Sequence, residues 1–287
     1  MRHYFTETDT KAPDSVYLCQ VSEEIACAAC CGLYNVADIS RKSLTEMLVR
    51  RTEIFAQTPR NMDAILGFKE KIEAQEDQKR PFPEFHHCPY IGLVGEKHSR
   101  PGCLLHPLAQ GNSGTDFRGL SFYGGMACRI YFCPSCRSLP KVYKEIVREV
   151  SQDWYLYGLV ITEKEMLTAF FAEIEKRLGR SLRREDIIGN QSRAEIVREF
   201  LSLKICWNFR ARMNAGPANY FFEDQLYLKP RVNYEAVGVS TSRYDSIFRE
   251  LRSCFDSAEA FHRAESLLDR LFERLKLNTP LPPSRGE

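Results

Sequence analysis

The placing of the cysteines constrains this chain more than any other feature. Eleven are present, and nine of them lie at or before position 136. Two pairs, Cys27/Cys30 and Cys133/Cys136, have a two-residue gap. That gap lets one tight turn aim both sulfurs at a single ion, and Pro134 favours such a turn. Cys31 follows Cys30 directly, and Cys128 stands five residues ahead of Cys133. Between the pairs lie Cys88, in His86-His87-Cys88-Pro89, and Cys103, in Gly102-Cys103-Leu104-Leu105-His106-Pro107. Cysteines beside Pro and Gly sit on irregular backbone, where metal-ligating turns occur.

The compartment sharpens this reading. The N-terminal stretch has no apolar signal region, and no run approaches the roughly 20 apolar residues of a membrane span. A cytoplasmic chain is therefore expected. In a reducing compartment, clustered cysteines point to metal or redox chemistry rather than to disulfides.

Zinc and iron–sulfur sites each use about four deprotonated thiolates. Cys27, Cys30, Cys31, Cys88, Cys103, Cys128, Cys133 and Cys136 are the expected ligands: enough for two four-thiolate sites, or one cluster plus one ion. Adjacent side chains usually point apart, so Cys30 and Cys31 are expected to serve different ions. His86, His87, His98 and His106 are further ligand candidates, with Cys19 outside the tight spacing. Cys206 and Cys254 fall on apolar helix faces and are read as small buried hydrophobes.

Residues 81–137 show no lasting helical period, and so long a structureless stretch is uncommon in a compact domain. Short strands are expected around Tyr90–Val94 and Cys128–Phe132. Something other than a hydrophobic face must hold the rest. Ordering the backbone costs about 1–2 kcal/mol per residue, whereas a structural zinc supplies roughly 10–16 kcal/mol of apparent folding free energy.

Elsewhere helices dominate. Ser43-Leu44-Thr45-Glu46 reads as a capping box before a face of Leu44, Met47, Leu48 and Phe55. Met62, Ile65, Leu66 and Ile72 predict a second helix. Pro140 suits the first turn of a third, with Val142, Ile146, Val147 and Val150. Capping boxes at Thr162–Glu165 and Ser192–Glu195 precede stripes of Leu167, Phe170, Phe171, Ile174 and Leu178, closed by Gly179, and of Ile196, Phe200, Leu203 and Trp207. Phe261, Ala264, Leu268, Leu271 and Leu275 mark a last helix. The expected fold is α+β and predominantly α-helical. A cysteine-rich metal-binding region with short strands over 1–137 joins a helical region over 138–277, then a flexible tail over 278–287.

Cys27-x2-Cys30-Cys31-Gly32, Cys88-Pro89-Tyr90, Gly102-Cys103-Leu104-Leu105-His106-Pro107 and Cys128 together resemble the YkgJ-type family of zinc- or iron-chelating CxxCxxCC domains. The resemblance covers residues 19–136 and implies metal binding, not a reaction. The family's first cysteine falls at position 24, where this chain has Glu24. Either Glu24 supplies an oxygen, or Cys19 substitutes, or that ligand is missing. A flagellin lysine N-methylase carries a similar cysteine run, so methyl transfer is an analogy.

The leading reading is a zinc- or iron-binding protein that presents a surface to a protein or small-molecule partner. The alternative is an iron–sulfur or non-haem iron enzyme performing redox chemistry or methyl transfer. Nucleic-acid binding is weakest: the net charge is +2 and no basic stripe exists. No P-loop, GxGxxG, HExxH or GxSxG motif carries other chemistry; Gly92–Lys97 is too short for a P-loop. The Gly-rich segment 111–119 holds Asp116 and Arg118, which are placed to line a pocket or to pair structurally.

Overall fold

The computed structural model describes residues 12–76, 79–83, 85–210 and 231–275. They form two units. One holds 12–137 and 152–162; the other holds 138–151, 163–210 and 231–275. The tail at 278–287 lies outside the described residues.

In the first unit, helix α1 (Arg41–Ala56) starts at Ser40, whose hydroxyl accepts the N–H of Ser43 at 3.2 Å. Ser43 therefore supplies the capped N–H and is not itself the cap. The face of α1 buries Leu44, Leu48 and Phe55, and also Arg51. Helix α2 (Met62–Gln75) starts at Asn61, which caps Ala64 N–H at 2.9 Å. It buries Ile65, Phe68 and Ile72, while Met62 and Leu66 lie outside that face, 60% and 36% exposed. Strands β1 (Ile91–Val94) and β2 (Arg100–Cys103) pair antiparallel, with Ile91 opposite Cys103.

The strand expected at Cys128–Phe132 does not form. Helix α3 (Gly124–Ile130) occupies most of it and buries no residue. A short apolar run does not by itself separate helix from strand. Here Arg129 is drawn to Asp116 at 2.6 Å, and Tyr131 N–H closes the turn on Ala127 at 3.0 Å. Helix α4 (Pro134–Ser138) follows.

The long irregular stretch is held by buried polar side chains as well as by apolar ones. Asn35 donates to the carbonyls of Phe82 at 2.9 Å and Phe85 at 3.3 Å, and accepts from Phe82 N–H at 3.0 Å. Asn112 donates to the carbonyls of Leu104 at 2.8 Å and His106 at 2.7 Å, while accepting from Arg60 at 2.8 Å. A buried side-chain amide satisfies the polar backbone that such a loop leaves without ladder partners.

Helix α5 (Lys141–Val150) belongs to the second unit, with Pro140 at its N-cap. The chain then returns to the first unit as α6 (Trp154–Val160), with every residue buried. Asp153 caps α6 at Tyr155 N–H, 2.9 Å, and at Leu156 N–H, 3.0 Å. The Tyr155 hydroxyl donates to Ile39 C=O at 2.9 Å, and the Tyr157 hydroxyl to Leu18 C=O at 2.8 Å.

In the second unit α5 is joined by α7 (Lys164–Leu178), α8 (Arg184–Ile188), α9 (Gln191–Cys206), α10 (Asp245–Glu250) and α11 (Ala258–Arg274). Leu167, Phe170, Phe171 and Ile174 are buried as their period predicts, and Gly179 ends α7 at φ 68°. Phe170 stacks on Phe200 with ring centroids 3.7 Å apart. Two capping assignments shift. The N-cap of α7 is Glu163 rather than Thr162, and the carboxylate of Glu163 pairs with Lys204 with both side chains buried. The cap of α9 is Asn190, accepting from Arg193 N–H at 3.1 Å, and not Ser192. Cys206 and Cys254 are exposed, not buried. Cys206 ends α9 off its apolar stripe, its thiol against Ser202 C=O at 3.2 Å.

Candidate metal centre

Cys19 and Cys27 face each other across a short hairpin. Cys27 N–H donates to Cys19 C=O at 2.8 Å, Gln20 bridges Ala26, and Val21 N–H closes the turn on Ile25 at 2.9 Å. One turn later Cys30 and Cys31 lie in a short 3-10 helix ended by Gly32 at φ 83°, a conformation that glycine adopts without strain. Cys133 enters from the far side of the sequence, just before α4. A small cavity of about 20 Å³ opens among Cys19, Cys27, Cys30 and Cys133, closed by Leu18, Ile161 and Tyr131. That is room for roughly one water-sized body.

A second group forms beside it. Cys88 N–H donates to Cys31 C=O at 2.9 Å. Cys103 ends β2, and Leu104 N–H donates to Tyr90 C=O at 2.9 Å, so the Cys88 and Cys103 segments run together. Cys128, on α3, has the Ser121 hydroxyl 3.3 Å from its sulfur. Cys31, Cys88, Cys103 and Cys128 act on one another electrostatically, as Cys19, Cys27, Cys30 and Cys133 do, with Cys136 acting on Cys19 and Cys133 as well. The thiols of Cys30 and Cys31 hydrogen-bond each other at the border of the two groups.

Burial and these neighbouring sulfurs push the thiols up. Cys19 and Cys27 rise well above their ordinary value, Cys88 and Cys133 to about 12, and Cys103 to about 11. The bond between them splits the adjacent pair, raising Cys31 and lowering Cys30. The backbone works in the opposite sense. N–H groups of Ala29, Tyr90, Leu105 and Ser135 reach the sulfurs of Cys27, Cys88, Cys103 and Cys133, in each case from two residues downstream. Such bonds favour the thiolate. Among the described residues, no three His, Cys, Asp or Glu side chains stand where they could hold an ion. The thiols are gathered but not converged.

The other candidates divide. Cys136 is buried, with its thiol directed at Val16 C=O, 3.8 Å away, and it does not line the cavity. Glu24 is exposed and bonds Ser22 at 3.4 Å, while Cys19 lines the cavity. Both ring nitrogens of His87 are engaged, Nε2 with Arg51 and Nδ1 with Gly32 C=O, each at 2.7 Å. Burial lowers His87 to about 3. His86 stacks on Phe122 at 4.3 Å, and burial lowers it to about 4. His106 accepts Leu108 N–H at 3.1 Å through Nδ1. Asp116 and Arg118 pair with each other, at 2.7 and 3.0 Å, and do not line the cavity.

Sequence reasoning placed Cys19 outside the main set, and it passed over Arg51. Arg51 is fully buried. It bonds both oxygens of Glu76, donates to Cys88 C=O at 3.0 Å and holds His87. The available signal was a lone arginine on the apolar face of α1, in line with Leu44, Leu48 and Phe55. No helix among the described residues is long and apolar enough to cross a membrane. No protein-family description, curated protein or solved structure matches this chain.

Proposed function

We propose that the first unit is a thiolate metal centre for zinc or iron with two adjacent sites. Cys19, Cys27, Cys30 and Cys133 would hold one ion, and Cys31, Cys88, Cys103 and Cys128 the other. The observation that carries this reading is that Cys19, Cys27, Cys30 and Cys133, from separate stretches of chain, line one small cavity, with the Cys88 segment tied to Cys31 by its N–H at 2.9 Å beside it. Backbone N–H groups acting on the sulfurs of Cys27, Cys88, Cys103 and Cys133 favour the thiolate over the thiol. Crowded sulfurs that resist ionisation alone would ionise around a cation, which inverts the local charge balance. Bound metal would draw the gathered thiols inward and order the irregular segment, a structural role at minimum. This division takes Cys19 as the substitute at the position where the resembling family has its first cysteine, and leaves Cys136 outside the ligands.

A redox or methyl-transfer enzyme with an iron–sulfur cluster is the second reading, favoured by the cavity that reaches the first four sulfurs. One experiment separates the two. Anaerobically isolated protein is assayed for zinc, iron and acid-labile sulfide, and its visible spectrum is recorded. Colourless protein with about two zinc per chain is expected from two four-thiolate sites. Brown protein with iron and sulfide selects the cluster, and protein without bound metal rejects both.

A further inference from the structure

The hairpin that carries Cys19 and Cys27 is fastened to β2. Gln20 donates to Pro101 C=O and accepts from Arg100, each at 2.8 Å. At the turn, Glu23 pairs with Arg100 and accepts Lys97 N–H at 3.0 Å. The register of the two arms is fixed as well. Gln20 bridges Ala26 in the antiparallel sense, Val21 N–H donates to Ile25 C=O at 2.9 Å, and Cys27 N–H donates to Cys19 C=O at 2.8 Å. Cys19 and Cys27 therefore stand directly opposite each other, and both line the same small cavity. Opposite residues of a hydrogen-bonded antiparallel pair lie about 5.5 Å apart at Cα, within the roughly 4.4–6.8 Å that a disulfide spans. Both thiols are partly exposed rather than sealed. Among the described residues, no other two cysteines share such a register: β1 and β2 set Cys103 opposite Ile91. Cys136 is buried, with its thiol directed at Val16 C=O.

We propose that Cys19 and Cys27 are a reversible redox pair, a modification site at which a hydroperoxide-class oxidant closes a disulfide across the hairpin. With hydrogen peroxide, one thiolate attacks the O–O bond; its sulfur is oxidised to a sulfenic acid and the peroxide is reduced, with hydroxide leaving. The opposite thiolate then attacks that sulfur, the S–S bond forms and a second hydroxide leaves. The two thiol protons convert both hydroxides to water, so two thiols and one peroxide give one disulfide and two waters. The hairpin is already docked, so no segment of backbone has to travel. Directly opposite residues stand about 4.5–5.5 Å apart at Cβ, more than the roughly 3.8 Å mean of a disulfide. The bond therefore forms under strain and is readily reduced again, as labile disulfides are and structural ones are not. The pairing needs two sulfurs and no ion, so it does not depend on the metal reading. An ion held by Cys19, Cys27, Cys30 and Cys133 would lose two of its four ligands when the bond closed.

The test is peptide mapping of the full-length, unsubstituted protein, stripped of metal by a chelator under reducing conditions. The metal content of freshly isolated protein is measured in parallel. Burial holds both thiols above their ordinary value, so hydrogen peroxide is applied over hours in mildly alkaline buffer. Free thiols are then alkylated, and the chain is cut after Glu23 and Glu24, which separate Cys19 from Cys27. Fragmentation of the joined peptides reads which cysteines are linked. The expected result is loss of the alkyl label at Cys19 and Cys27 together, a link between those two, and return of both labels after dithiothreitol. A link from either residue to Cys30, Cys31 or Cys133 overturns the pairing. So does full labelling of both after peroxide, or sulfinic acid at either without a link. The link in a protein that binds no zinc or iron supports the pairing and rejects the metal centre alone. Bound metal without the link rejects the pairing and leaves the metal centre standing.

Discussion

Cys27 N–H donates to the carbonyl of Cys19 at 2.8 Å, so two sulfur-bearing residues eight positions apart meet across one hairpin. The pairing explains how a cysteine outside the tight spacing comes to line the cavity with Cys27, Cys30 and Cys133. In an antiparallel hairpin, residues directly opposite present their side chains on the same face.

Cys19→Ala is expected to remove about one equivalent of metal, as Cys30→Ala and Cys133→Ala should, with a lower melting temperature in each case. Cys136→Ala and Cys206→Ala should keep full metal content. Elemental analysis of the five variants checks the ligand division. Retention in Cys19→Ala with loss in Cys136→Ala would exchange the two residues in the assignment.

Arg51→Met should destabilise the first unit by about 3–5 kcal/mol, the range for breaking a buried ion pair from one side. The substitution removes the donors to Glu76, His87 and Cys88 C=O together. Urea unfolding followed by circular dichroism gives the value, and a cost below about 1 kcal/mol would remove Arg51 from the account.

Glu76 makes the same cluster acid-sensitive. Burial acts to raise its carboxyl, but bonds and charge from Arg51 and Arg50 outweigh it and hold the group below the usual carboxylate range. Its folded value is thus depressed. The contribution is present above the ordinary value of about 4.3 and is lost as pH falls through the lower folded value. Glu76→Gln should flatten the acid side of a stability-against-pH curve, with little change in its slope near neutrality.

In the second unit, Phe170→Ala should cost about 3–5 kcal/mol from the lost aromatic core, with metal content unchanged. Lys204→Met, which strands the buried carboxylate of Glu163, should cost a similar amount. The double change Glu163→Leu with Lys204→Met should recover much of it. Denaturation alongside metal analysis distinguishes these from variants of the centre.

Periodic segments were the legible part of the chain. The stripe through Phe170 and Ile174 and the last helix through Leu268 follow directly from the 3.6-residue period, and Gly179 ends its helix where expected. Two caps fell elsewhere because Ser40 and Asn190 each cap a helix just ahead of the more conspicuous boxes at Ser43 and Ser192. The helix over Cys128 was hidden in a run that suits either structure, and an ion pair to Asp116 accompanies the helical form. Cys19 and Cys133, 114 residues apart, line the same cavity, a meeting that no local pattern encodes. Nor does any local pattern assign Asn35 and Asn112 to stapling distant carbonyls, since an isolated asparagine reads as a turn residue.

The return of residues 152–162 to the first unit governs how this chain can be dissected. A fragment stopping at Arg137 would lack Tyr157 and Tyr155, the hydroxyl anchors of Leu18 and Ile39, along with a fully enclosed aromatic helix. Anyone wishing to isolate the sulfur-rich half must carry that returning helix along, by a linker replacing 138–151 or by co-expression as a separate peptide. Otherwise the Leu18 backbone, one residue before Cys19, loses its tether.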